Sequence, residues 1–132
     1  MEVHALRLHP DQDLLNEMLK WAVANDIEAA CVLTCVGSLK RANLRFANKP
    51  DGTQLEGMFE IVALTGTLSK HGSHFHIALS DGDGVCVGGH LLAGCPIYTT
   101  AEIVLGIVPG KRFIRPVDDA TTWDELYIVD LD

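Results

Sequence analysis

The pattern of apolar and polar positions has helical period in only one part of the chain, near the N-terminus. There the apolar residues fall on two adjacent lines of a helix: Leu14, Met18 and Ala22, then Leu15 and Leu19. Asp11 follows Pro10 and is the expected N-cap, and Asn25 is the expected C-terminal stop. The pattern therefore predicts one main helix over about residues 12–25.

Most of the remaining chain alternates apolar and polar residues or runs in apolar, β-branched stretches, as β-strands do. An opening strand is predicted in "EVHALRL", and further strands in "AACVLTCVGSL", "GMFEIVALTGTL", "SHFHIALS" and "IYTTAEIVLGIV", with short closing strands in "RFIRPV" and "ELYIVDL". The connections are short enough for hairpins. We therefore expect an α+β fold with a mostly antiparallel β-sheet, one helix packed on it, and a single domain over residues 1–132.

Several of these strands are apolar on both faces, "CVLTCVG", "FEIVAL" and "AEIVLGIV" among them. A strand of that kind must be covered on both sides, and one helix covers only one. A second copy of the chain is the simplest cover for the other side, so we expect a homo-oligomer with a β-rich interface.

The formal net charge of -8 argues against a large, non-specific nucleic-acid surface. Two local basic clusters could each bind an anion, although solvated strand ends are the more ordinary interpretation; they are Lys40, Arg41 and Arg45, and Lys111, Arg112 and Arg115. No apolar run reaches the roughly 20 residues of a membrane span, and the N-terminal residues lack the pattern of a signal peptide. We therefore expect a cytoplasmic protein with no membrane contact.

The cysteines, Cys31, Cys35, Cys86 and Cys95, include no CxxC pair and so lack zinc-ribbon spacing. Cys31 and Cys35 would lie about 13 Å apart on an extended strand, which is too far for a disulfide. Buried, reduced thiols are therefore expected. Cys86 with His76 could be drawn as a nucleophile and its base, but nothing in the sequence indicates that this thiol is activated.

The candidate chemistry lies in the stretch "HGSHFHIALSDGDGVCVGGHL", which contains His71, His74, His76 and His90. His74 and His76 share one face of a predicted strand. His90 joins them only if the hairpin loop is centred on Asp83, or if a bulge at Gly88–Gly89 corrects another register. The alternative is a hairpin with histidines on a solvated face.

Three neutral imidazoles with an open fourth position suit Zn²⁺ or another divalent transition metal. His74, His76 and His90 are therefore the candidate metal ligands. Glu60 and Glu102 are candidate partners or bases beside the metal, and His71, in a turn, is a possible extra ligand. A zinc-dependent hydrolase using metal-activated water is one reaction class this arrangement would allow.

Four segments in this order and spacing resemble the plants and prokaryotes conserved (PPC) domain, which is also the C-terminal part of plant AT-hook nuclear proteins. The segments are "GSLKRANLRFA", "GMFEIVALTGTL", "HFHIALSDGDGVCVGGHLLAGC" and "TAEIVL". The resemblance runs from the first strand to about Val108. It implies a compact α+β domain that assembles as a homotrimer through its sheets, with His74, His76 and His90 at the metal-binding positions of prokaryotic-type members.

Single-domain members of the family are commonly labelled DNA-binding, by transfer from plant proteins whose AT-hook contacts DNA. This chain has no Arg-Gly-Arg core with flanking prolines. The sequence therefore favours a zinc-binding, homotrimeric module that acts non-catalytically, in regulation or through protein partners. A DNA-binding regulator and a zinc-dependent hydrolase are the alternatives, and no physiological ligand or substrate follows from the sequence.

Overall fold

A computed structural model describes residues 1–132 and contains one helix and eight strands. In chain order these are β1 (Val3–Leu8), α1 (Leu14–Ala24), β2 (Ala30–Arg45), β3 (Thr53–Ser69), β4 (Gly72–Ser80), β5 (Cys86–Leu91), β6 (Ile97–Ile107), β7 (Lys111–Ile114) and β8 (Tyr127–Asp130). The single helix and the antiparallel pairing of every strand confirm the expected α+β class. No helix is long and apolar enough to cross a membrane.

Six strands form one sheet in the order β1-β6-β2-β3-β4-β5, and β7 and β8 form a separate two-stranded sheet. The long strand β2 pairs with β6 through its first part and with β5 through its last residues, Leu44 and Arg45. Because β3 and β4 follow on the other side of β2, the strands β2, β3, β4 and β5 close into a barrel-like circuit. This closure brings β5, the last strand of the order, back against the end of β2.

The core lies between α1 and the sheet. The predicted first line of the helix, Leu14, Met18 and Ala22, is completely buried, and Leu15 packs partly buried against the same core. The sheet contributes the alternating apolar residues of its strands, with Phe75, Ile77 and Leu79 of β4 all buried, as the strict alternation of that segment indicates. The hairpin strand β4 therefore presents its opposite face, with His74 and His76, to the outside.

The helix begins two residues later than its expected cap. Asp13, not Asp11, is the N-cap: its carboxylate accepts the backbone N–H of Asn16 at 3.0 Å. The same side chain accepts the N–H groups of Gly94 and Cys95, each at 2.8 Å, and so ties the helix to the loop before β6. Asp11 instead lies in a turn with a φ of 72°. Asn25 is the C-cap, as expected.

The cysteine prediction is confirmed in part. All four thiols are free, and Cys35 and Cys95 are buried, which raises their pKa values to about 12 and about 11. Cys86, however, is exposed and Cys31 is half-buried. Cys86 is exposed because it is the first residue of β5, beside the loop, and its alternation places it on the outer face of the hairpin.

Candidate metal centre

The loop between β4 and β5 sets the register that brings the histidines together. Asp81 closes it: its carboxylate accepts the backbone N–H groups of Asp83 and Val85, each at 2.9 Å. The resulting loop is centred on Asp83, and His90 lies directly opposite His76. The pairing runs without interruption through Gly88 and Gly89, so no bulge is needed there.

His74, His76 and His90 form one cluster on the outer face of the β4–β5 hairpin. One ring nitrogen from each residue lies within 4.8 Å of the others. The Nε2 atoms of His74 and His76 are 3.1 Å apart, and the ring centroids of His74 and His90 are 5.1 Å apart. The strand period and the hairpin register therefore produce the convergence that the sequence predicted.

Two histidines of the cluster, His74 and His90, are biased towards the neutral form that a metal ion requires. Burial is the main cause that lowers the pKa of His90 to about 4, and the charge of Arg45 adds to it. Burial also lowers the pKa of His74, assisted by the charges of His76 and Arg115 and opposed by Glu125. Neutral imidazoles are competent metal ligands at pH 7 without first losing a proton.

The donor set fits a divalent transition metal. Three imidazoles suit zinc, whose tetrahedral nitrogen ligands lie about 3.3 Å from one another, close to the separation of His74 and His76. Nδ1 of His90 is buried and has no hydrogen-bond partner. A buried polar atom left unpaired costs roughly 1–3 kcal/mol, and a ligand that contacts this atom would remove that cost.

Other sequence candidates are not brought to the cluster. Glu60 pairs with Ser80 at the loop end of the hairpin, and Glu102 lies on β6, which does not touch β4 or β5 in the sheet order. Cys86 pairs with Ser80, four residues from His76 along the strand, or about 13 Å. His71 lines the adjoining cleft but does not belong to the cluster.

Two arginines that sequence reasoning treated as solvated strand ends flank the cluster. Arg45, on β2, pairs directly with His90, and its guanidinium lies 4.8 Å from the centre of the Trp123 ring. Arg115, after β7, donates to the hydroxyl of Thr67 at 3.1 Å, and Thr67 pairs with His74. The only sequence signal was the presence of both residues in the basic clusters, because their convergence depends on barrel closure and on the C-terminal segment.

The histidines stand between two openings in the surface. The larger is a cleft of about 810 Å³ whose lining includes His74, His90 and both arginines. Segment 122–125 forms another part of its wall and contributes Asp124 and Glu125. The smaller opening, of about 340 Å³, is lined by all three histidines together with Arg45 and segment 46–48. A metal ion in the cluster would therefore be reachable from the surface.

Similar proteins agree with this architecture. The chain is 44% identical over 128 residues to a bifunctional protein GlmU of a Synechococcus strain; the match covers 97% of this chain and 20% of that protein. The chain thus spans about a fifth of the length of the curated relatives it matches. A hypothetical protein from Salmonella has a solved structure with 39% identity and a TM-score of 0.94, covering 98% of this chain and 94% of that one.

A metal-containing protein from Archaeoglobus fulgidus shares the fold with a TM-score of 0.82 at 24% identity, covering 96% of this chain and 94% of that one. A family model for the Plants and Prokaryotes Conserved domain, abbreviated PCC or PPC, matches residues 1–109. That match includes all six strands of the main sheet, the helix and the three clustered histidines. The chain therefore belongs to the Plants and Prokaryotes Conserved domain family.

Proposed function

We propose that this chain is a zinc-binding module that assembles as a homotrimer and acts non-catalytically, by regulation or through protein partners. The observation that carries the metal proposal is the convergence of His74, His76 and His90, whose ligand atoms lie within 4.8 Å of one another. The match of this domain to about a fifth of a longer bifunctional protein supports a role as an accessory module.

Metal analysis of protein purified without an affinity tag tests the site, and His71 offers a matched control. His90→Ala removes a ligand, whereas His71→Ala removes a histidine that lines the same cleft outside the cluster. We expect about one zinc per chain in the wild type and in His71→Ala, and a large loss in His90→Ala. Less than roughly a third of an equivalent in the wild type, unchanged after zinc addition, would contradict the proposal, because a preformed three-histidine site should fill.

The homotrimer is supported by an apolar patch on the outer face of β2 and β3. Val36, Met58 and Val62 are each 53–56% exposed there. Because Gly37 pairs with Ile61, the antiparallel register places Val36 opposite Val62. Apolar residues clustered on an exposed sheet face are typical of an interface between copies. Native mass spectrometry at micromolar concentration should show three chains, and a monomer would contradict the assembly.

A DNA-binding role receives less support from the placement of the basic residues. Lys40 pairs with Asp11, Lys111 with Asp130 and Arg112 with Glu28. Arg45 and Arg115 face the histidine cleft rather than a common open surface. Fluorescence anisotropy with duplex DNA over a range of salt concentrations distinguishes the two roles: tight binding with a steep salt slope would favour the regulator.

A zinc-dependent hydrolase is the second candidate, favoured by the open cleft beside the histidines and by Glu125, whose charge acts on His74. In that role Glu125, rather than Glu60 or Glu102, would be the carboxylate beside the site. Hydrolysis of an activated ester by the zinc-loaded protein, lost in both His90→Ala and Glu125→Gln, would favour the enzyme over the non-catalytic module.

A further inference from the structure

The cleft beside the histidine cluster contains two guanidinium groups that make no ion-pair contact, although the charges of Asp124 and Glu125 act on Arg115 from a longer distance. Arg45 and Arg115 have no carboxylate oxygen within the 4.0 Å of an ion pair, whereas Lys40, Lys111 and Arg112 each do. Both arginines are half-buried rather than fully solvated. Unpaired, partly desolvated guanidinium groups are costly, and an arginine held in this way is suited to receive an oxyanion.

Each guanidinium is positioned by a contact that leaves most of its donors free. The guanidinium carbon of Arg45 lies over the Trp123 ring in a cation–π contact, which needs no hydrogen bond from its N–H groups. Arg115 gives one N–H to Thr67 and retains the others. Both side chains are therefore oriented towards the cleft by the protein before any ligand arrives, which reduces the entropic cost of binding.

The charge balance of the cleft changes when a metal is present. Its acidic residues are Asp51, Asp124 and Glu125, and they outnumber the two arginines in the protein alone. A divalent ion on the neutral histidines would make the cleft positive by one charge. Two guanidinium groups beside a divalent ion repel it and one another, and an anion between them would remove that repulsion.

The lining of the cleft also indicates a polar ligand. Only two of its fifteen lining residues are hydrophobic, and its volume of about 810 Å³ is within the range of small-molecule sites. An apolar ligand would gain little from burial there, and a macromolecular chain would need a longer groove. The cleft suits a small molecule with one or more charged oxygens.

We propose that this cleft is a binding site for a small molecule that carries a phosphate or carboxylate group, with Arg45 and Arg115 as the residues that recognise the oxyanion. The site rests on the proposed metal function, because the ion supplies the positive charge that outweighs the acidic residues. Trp123, at the cleft wall, provides a spectroscopic probe.

The test is calorimetric titration of the zinc-loaded protein with inorganic phosphate and, separately, with succinate, to distinguish the two oxyanions. Arg45→Gln and Arg115→Gln are compared with Arg41→Gln, which removes the same charge from an exposed position of β2 outside the cleft. We expect each cleft variant to weaken binding of the preferred anion at least about tenfold and Arg41→Gln to change it less than about twofold. Arg45→Lys and Arg115→Lys keep the charge and should therefore retain part of the affinity for the anion. They serve as the test variants if a substitution to Gln disturbs folding.

The outcomes separate this site from the metal proposal. If the wild type binds neither anion, or if the cleft variants bind as well as Arg41→Gln, the anion site is wrong even when zinc is retained. If the protein holds no zinc but binds phosphate through Arg45 and Arg115, the metal function fails and the ion is not the source of the positive charge, while the two arginines still recognise the anion. Quenching or enhancement of Trp123 fluorescence on anion addition, absent in Trp123→Phe, would place the bound anion in this cleft.

Discussion

The close approach of β3 and β4 at Gly66 gives a sharp test of how the histidine strand is positioned. Gly66 pairs with Phe75, between the two histidines of β4, and has a φ of +150° that favours glycine. A Cβ atom at this position would lie 2.0 Å from the carbonyl oxygen of His74 and 2.6 Å from Cδ1 of Phe75. The substitution Gly66→Ala should therefore strain the strand and push it away from β4.

The magnitude has two parts. The positive φ costs about 1–2 kcal/mol for any residue with a Cβ. To relieve the clash, the distance to the carbonyl oxygen must increase from 2.0 Å to at least 3.0 Å, which displaces the completely buried Phe75 and weakens the neighbouring ladder hydrogen bonds. Overpacking of this kind adds about 1–3 kcal/mol, so we expect Gly66→Ala to lower the free energy of unfolding by about 2–5 kcal/mol.

Gly57 provides the matched control. It lies on the same strand with a φ of +120°, but a Cβ there would meet nothing within 4 Å. Gly57→Ala should therefore cost only the conformational part, about 1–2 kcal/mol. Urea unfolding of metal-free protein at one fixed concentration measures both variants, since the concentration affects an oligomer. Equal losses of stability would refute the argument that contact with β4, and not backbone conformation, dictates glycine at position 66.

Three further predictions follow from the cap, the apolar patch and the histidines. Asp13→Ala should lower the free energy of unfolding by about 2–3 kcal/mol, measured by urea unfolding, because it removes the helix cap and leaves the N–H groups of the loop before β6 unpaired. Val62→Asp should convert the expected trimer to monomer in native mass spectrometry while the secondary structure, followed by circular dichroism, is retained. Because the pKa values of His74 and His90 are lowered in the folded protein, the unfolded chain takes up protons at a higher pH than the folded one. The free energy of unfolding of the metal-free protein should therefore decrease as the pH falls from about 6.5 towards 4. Urea unfolding at pH 7 and pH 5 measures this decrease, which should be smaller in His90→Asn.

The local periodicities of the chain were sufficient for the fold class. The stripe of Leu14, Met18 and Ala22 and the alternation of Phe75, Ile77 and Leu79 reflect burial on one face, and each is visible without tertiary contacts. The helix cap is Asp13 and not the predicted Asp11, because Asp13 also accepts two backbone N–H groups of the loop before β6. That contact joins residues far apart in sequence.

The convergence of the three histidines was predictable for the same reason. His74, His76 and His90 converge through strand period and a short hairpin loop, both local properties, and only the choice between two registers had to come from the loop geometry at Asp81. The prediction that Glu60 and Glu102 lie beside the cluster was wrong, because their distance from the histidines depends on strand order and not on spacing along the chain.

Side-chain alternation over a few residues shows which residues face inward and which histidines share a hairpin, so both can be read along the chain. What surrounds the histidines depends on tertiary contacts. Closure of β5 onto the end of β2 places Arg45 opposite His90, and the segment after β7 brings Arg115 and Glu125 to the same cleft. These contacts join positions tens of residues apart, and no local period of the chain encodes them.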